Sequence, residues 1–183
     1  MEPVKPGSSN SEWIDAMTKA REAVDKADFS MFHKYMKIAL PLSLNDEMVS
    51  KQARLDQLGQ LYEIFISSIR EAKTKLNGAE TISVGKLQVS IVEIKEDQLI
   101  VRIQGKNERF AWDRLPLGIA MALADLTLSD QAATDIAARA VYCSLSPARN
   151  QLFEKRVKDW FEKSIGKGTI RKDLVQALTD TYE

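Results

Sequence analysis

The stretch NGAETISVGKLQVSIVEIKEDQLIVRIQGKNERFAWDRLP, residues 77–116, decides the fold. Thr81–Val84, Leu87–Ile94, Leu99–Ile103 and Glu108–Trp112 are short alternating runs with the two-residue period of strands. Glu96-Asp97 and Gly105-Lys106-Asn107 have the composition of hairpin turns between them. In the second run Leu87, Val89, Ile91 and Glu93 fall on one side and Gln88, Ser90, Val92 and Ile94 on the other, so both faces are partly apolar. A meander of this size is marginal alone. It is expected to curl into a small SH3-like barrel or to pack as a sheet against a helix.

Upstream the period changes to that of helices. Leu55, Leu58, Leu61, Phe65, Ile69, Ala72 and Leu76 recur at three- and four-residue steps, with Tyr62 and Ile66 widening the stripe. Such a face must lie against other elements or a second subunit. Ser43 or Asn45 can cap this long helix, Asp46 and Glu47 suit its first turn, and Asn77-Gly78 can end it in the left-handed region. Before it, Trp13, Met17, Ala20 and Val24 mark a helix starting near Ser11. Asp28 caps a second one carrying Phe29, Phe32, Tyr35, Met36 and Ala39, which stops before Pro41.

Downstream, Pro116 suits the first position of a helix whose stripe is Ile119, Leu123 and Leu126. Ser129-Asp130 opens the next helix, through Ile136 and Cys143. Ser146-Pro147 opens another with Phe153, Val157, Trp160 and Phe161, and Gly166 and Gly168 precede a last helix with Ile170, Leu174, Ala177 and Leu178. The chain therefore reads as α+β and mostly helical. Residues 1–10 form a disordered tail, 11–78 a helical region with one long helix, 79–114 a four-stranded antiparallel β-meander or SH3-like module, and 115–183 antiparallel helices, all packed as one compact unit.

Lysine and arginine total 26 and aspartate and glutamate total 26, so no overall charge steers the molecule toward nucleic acid or anionic lipid. The single cysteine, Cys143, cannot form an internal disulfide and fits a reducing compartment. The amino terminus lacks the apolar core of a signal peptide, and no run reaches the roughly 20 apolar residues that cross a bilayer. A cytoplasmic protein with no membrane contact is expected.

Candidate chemistry is sparse. His33 is the only histidine, no triad partner is spaced to it, and one His with one Cys falls short of the four soft or imidazole ligands of a structural zinc site, so neither zinc nor haem ligation is expected. No catalytic, cofactor-binding or metal-binding residue is assigned. Gly85-Lys86 and Gly166-Lys167-Gly168-Thr169 lack the spacing of a phosphate loop, and Cys143-Ser144 and Ser67-Ser68 sit in helical patterns rather than a nucleophile elbow. Glu93, Glu96 and Asp97 against Arg102, Arg109 and Arg114 read as cross-strand pairs. The strongest electrostatic feature is the run from Arg149 to Lys172, eight cationic residues against three acidic ones. Arg149, Lys155, Arg156, Lys158 and Lys163 from that run, with Arg109 and Trp112 from the strands, are the candidate interaction residues.

Trp13 and the long helix, Thr81-Ile82-Ser83-Val84-Gly85, Phe110-Ala111-Trp112-Asp113-Arg114-Leu115-Pro116, Ile119-Ala120-Met121-Ala122-Leu123-Ala124 and Ala138-Arg139-Ala140-Val141-Tyr142 together resemble a group of bacterial proteins of planctomycete type with no assigned function. The resemblance spans most of the chain. It implies a bacterial source, a coherent fold and a structural junction at Leu115-Pro116, and it implies no activity or cofactor. Broad apolar faces without a chemical constellation point to a protein-interaction or scaffolding protein without catalytic activity, engaging a protein partner or a second copy. The alternatives are nucleic-acid binding through the basic carboxy-terminal helices and an enzyme of unrecognised class.

Overall fold

The computed structural model describes residues 6–147 and 151–183. Helix α1, Pro6–Asp25, starts ahead of Ser11 and buries Trp13, Met17, Ala20 and Val24. It ends in a Schellman arrangement, with Asp28 N–H bonded to Ala23 O and Ala27 N–H to Val24 O, both at 2.9 Å. Ala27 takes the left-handed conformation there, at φ 53°. Helix α2, Phe29–Ala39, then folds back along α1, and the Asp28 carboxylate accepts from Met31 N–H as the expected cap. A short 3₁₀ turn at Leu40–Leu42 leads to α3, Asp46–Lys75.

Helix α3 spans 30 residues, and its Asn45 side chain caps Met48 N–H. The whole ladder from Leu55 to Leu76 is buried inside one chain, so that stripe requires no second subunit. Its first half packs with α1, α2 and the carboxy-terminal residues, and its second half with the sheet and the later helices. At Gly59 the helix meets the Phe32 ring so closely that an added Cβ would lie 2.2 Å from Phe32 Cζ. The end of α3 differs from expectation: Leu76 is extended, and the left-handed residue is Ala79, at φ 78°, rather than Asn77 or Gly78. Ala79 and Glu80 instead exchange hydrogen bonds with Ile91 in the sheet (2.9 and 2.7 Å), which draws the chain into its first strand.

Four antiparallel strands follow in sequential order, β1 Thr81–Val84, β2 Leu87–Ile94, β3 Gln98–Ile103 and β4 Lys106–Ala111. The sheet stays open, with β1 and β4 as its edges, and does not close into an SH3-like barrel. Glu96-Asp97 turns between β2 and β3, where Lys95 N–H bonds to Gln98 O at 2.9 Å. The last hairpin is tighter than expected, because Ile103 pairs directly with Lys106 and only Gln104-Gly105, both at positive φ, lie between them. A register shift between Ile91 and Glu93 makes a bulge at Val92. It turns Ile94 onto the face carrying Val89 and Ile91, and that face packs on the second half of α3. The expected cross-strand ion pairs do not form among the described residues. Ile100 separates Glu93 from Arg109 in the register, Glu93 pairs with Lys95 at 3.5 Å, and Arg102 donates to Asn107 Oδ1 at 3.1 Å.

Trp112 leaves the sheet in a 3₁₀ turn, and Pro116 caps α4, Leu117–Ala124. Every α4 residue except Gly118 is buried, and Gly118 lies where an added Cβ would reach within 2.7 Å of Val84 Cγ1. Helix α5, Ala133–Leu145, starts later than Ser129-Asp130 because buried Arg139 gathers that loop. Its guanidinium donates to Asp125 Oδ1 at 2.9 Å and to the carbonyls of Leu128 and Ser129 at 3.0 and 3.3 Å. Helix α6 is Gln151–Ile165; the expected start at Pro147 runs into residues outside the described set. The last helix is absent: Ile170, Leu174 and Ala177 are buried as expected, but only a 3₁₀ turn forms, at Leu174–Leu178. Side chains of α1 and α3 seize this segment instead, Arg21 bonding Ala177 O at 2.6 Å and Gln57 bonding Thr169 O and Arg171 N–H at 3.2 and 2.9 Å.

Candidate functional site

Two surfaces combine shape with unusual residues. The first is a cleft of about 590 Å³ at the meeting of the α1–α2 turn, the second half of α3, the β2–β3 turn, the segment after β4 and α5. Tyr62 and Tyr142 line it, their rings stacked at 6.0 Å between centroids. Phe65, buried in α3, holds the Tyr142 ring from behind at 3.9 Å, and Phe29 meets Tyr62 edge-on at 5.7 Å. Neither phenol hydroxyl has a hydrogen bond among the described residues. Burial pushes the Tyr142 hydroxyl up to about 12 and raises that of Tyr62, so both are neutral at physiological pH.

Trp112 forms the sheet-side wall. Its indole N–H donates to Lys95 O at 3.0 Å, and the Lys73 ammonium lies 5.0 Å from the ring centroid while donating to Glu96 O at 2.7 Å. Lys26, Arg70, Asp25, Glu96 and Asp113 supply the remaining charges. Three of these have partners outside the cleft: Asp25 pairs with Arg21 at 3.2 Å, Lys26 with Glu22 at 3.7 Å and Asp113 with Arg114 at 3.8 Å. Arg70, exposed on α3, has no ion pair or hydrogen bond among the described residues. It also borders a shallower hollow beside His33, whose Nε2 donates to Glu63 Oε2 at 2.8 Å.

The second surface is apolar and lies at the corner between α2 and α3. Met36, Leu40, Val49 and Ala53 line a groove of about 420 Å³, with Lys37 and Asp56 among its polar residues. Leu40, Leu44 and Val49 are 68%, 61% and 52% exposed, and Ile38 is 44% exposed.

The candidate residues read from the sequence do not converge. Trp112 is in the cleft, whereas Arg109 points to solvent from the outer face of β4. Lys155, Arg156, Lys158 and Lys163 are exposed on α6, and Arg149 lies outside the described residues. Several cations of the basic run already have partners. Lys158 reaches Glu162 at 3.9 Å, Lys163 donates to Asp130 O at 3.2 Å, Lys167 donates to Gln131 O, and Arg171 holds Asp173 through two bonds of 2.9 Å. Cys143 is a core thiol, 3.7 Å from the Met121 sulfur and pushed up to about 12 by burial. Sequence reasoning missed Tyr142, Arg70 and the exposed corner. Tyr62 was visible as the polar-tipped edge of the long stripe, and Leu40 and Leu44 as apolar residues in a Pro-containing connection.

Among the described residues no helix is long and apolar enough to cross a membrane. Compared with family models, curated proteins and solved structures, the chain matches none.

Proposed function

We propose that the protein is an interaction or scaffolding protein without catalytic activity, and that it engages another protein through the apolar corner between α2 and α3. The observation that carries this reading is the exposure of Leu40, Leu44 and Val49 within one short stretch of chain beside an apolar groove. Covering a side chain of this size is worth about 1.5–3 kcal/mol, and large apolar side chains gathered at a surface with polar residues at the rim mark docking sites. Nucleic-acid binding through α6 is placed second, because half of the basic run is held by acidic side chains or loop carbonyls of the same chain.

The test compares the full chain with a Leu40→Glu, Val49→Glu variant. Both positions are exposed, so the variant is expected to keep the helical signal and unfolding midpoint of the parent. Light scattering over a concentration series and crosslinking in extracts should show an assembly for the parent that the variant loses. A parent that stays monomeric and crosslinks to the same proteins as the variant removes the proposal.

A further inference from the structure

We propose that the cleft beneath Trp112 is a binding site for a small ligand carrying a flat aromatic ring and an anionic group, a carboxylate or a phosphate. The site is separate from the α2–α3 corner and goes beyond the docking function assigned there.

Size sets the class of ligand. A volume of about 590 Å³ falls in the roughly 300–1,000 Å³ range of small-ligand sites. The walls set its shape. Tyr62, Tyr142 and Trp112 present three aromatic surfaces, and each is fixed in place: Tyr142 by Phe65, Tyr62 by Phe29, Trp112 by its bond to Lys95 O. Rigid flat walls lose little entropy on binding and favour a flat guest that stacks on them. Ile66, Ile69 and Leu115 complete an apolar lining.

Charge sets the other half of the ligand. The lining balances Lys26, Arg70 and Lys73 against Asp25, Glu96 and Asp113. Asp25, Lys26 and Asp113 each have a partner on a neighbouring residue and Lys73 is bonded to Glu96 O, which leaves Arg70 as the lining cation without a partner among the described residues. Lys73 is already turned toward Trp112 by its bond to Glu96 O, which puts an ammonium beside the ring that would stack. The planar fork of Arg70, without a partner among the described residues, matches a carboxylate or a phosphate edge. The two neutral phenol hydroxyls, which have no hydrogen bond among the described residues, add donors for the same anion.

The experiment titrates the isotopically labelled full chain with indole-3-acetate, phenylacetate, phenyl phosphate, neutral indole, acetate and inorganic phosphate. It follows the Trp112 indole N–H resonance, identified by its loss in Trp112→Phe. Indole-3-acetate or phenyl phosphate is expected to shift that resonance saturably, binding roughly tenfold or more tightly than neutral indole, and phenylacetate set against phenyl phosphate, which share one ring, shows which anion the site takes. Arg70→Gln, at an exposed position, is expected to erase that preference while leaving the unfolding midpoint in place. The proposal is overturned by the absence of a saturable shift at about 10 mM, by neutral indole binding as tightly as the anions, by acetate or inorganic phosphate alone matching their ring-bearing forms, or by an unchanged preference in Arg70→Gln.

Discussion

Arg54 grips Asp180 through two hydrogen bonds, from Nε and Nη2, each 2.7 Å long. Arg54 is almost fully buried in α3, and the same guanidinium reaches Asp173 at 3.3 Å and Ser50 Oγ at 3.0 Å. One side chain of α3 thus fastens the carboxy-terminal segment. Tyr182 closes over α1 beside it, its ring edge-on to Trp13 at 6.0 Å. Removing one member of a buried pair leaves the other charge uncompensated, so Arg54→Ala is expected to cost about 3–5 kcal/mol in urea unfolding. Arg54→Met combined with Asp180→Leu should recover most of that loss. A double variant as unstable as the single one would show that shape, rather than charge, is what the pair provides.

Acid should loosen the same segment through Asp173. Hydrogen bonds from Arg171, and then from Arg54, hold its carboxyl down to about 2. An unfolded aspartate titrates near 3.9, so the folded chain binds the proton more weakly and the group stabilises the fold above about pH 4. That contribution fades as pH falls toward about 2, where the native carboxyl is protonated too. The stability gap between the parent and Asp173→Asn should therefore be constant from neutral pH down to about 4 and shrink below it. A gap that is flat across that window, or that widens in acid, contradicts the assignment.

Gly59 is a packing glycine rather than a turn glycine. Alanine would favour a helix interior by about 1 kcal/mol, yet its Cβ would enter the Phe32 ring, with three ring carbons between 2.2 and 2.7 Å. Phe32 is fully buried and has nowhere to retreat. Overpacking costs about 1–3 kcal/mol, so Gly59→Ala should be net destabilising by chemical denaturation. Adding Phe32→Leu should reverse the sign of the Gly59→Ala effect, because the smaller side chain makes room for the methyl group.

Arg139 is expected to control the α4–α5 loop. Arg139→Leu strips donors from the Leu128 and Ser129 carbonyls and from Asp125, at a cost of about 2–4 kcal/mol. Arg139→Lys should rescue little, since one ammonium cannot reproduce the fork that spans these acceptors. Amide exchange offers the readout, with residues 125–132 losing protection before α5 does.

The strands were legible because alternation and turn residues agree. Thr81–Val84 and Leu87–Ile94 match the structure end to end, and β3 and β4 shift by a residue or two. The bulge at Val92 was not legible, since an extra residue leaves composition unchanged and shows itself only in pairing. The Leu55–Leu76 ladder was legible because its period persists over many turns, and the caps Asp28 and Asn45 because they act on residues beside them. The last helix failed for the opposite reason: Ile170, Leu174 and Ala177 have helical spacing, but Arg54 and Gln57, far upstream, claim the segment. The candidate cleft was hidden in the same way. Trp112 could be singled out by its type, whereas Tyr62, Arg70 and Tyr142 meet it only once the chain has folded.

The rim of the sheet at β4 has a bearing on solubility. This strand pairs on one side only, and its other backbone edge would template a neighbouring molecule's strand. Lys106, Asn107, Glu108 and Arg109 all project into water along it, and two adjacent copies laid edge to edge would have to desolvate those charges. The charged side chains of β4 thus oppose edge-to-edge pairing of two copies of this small open meander.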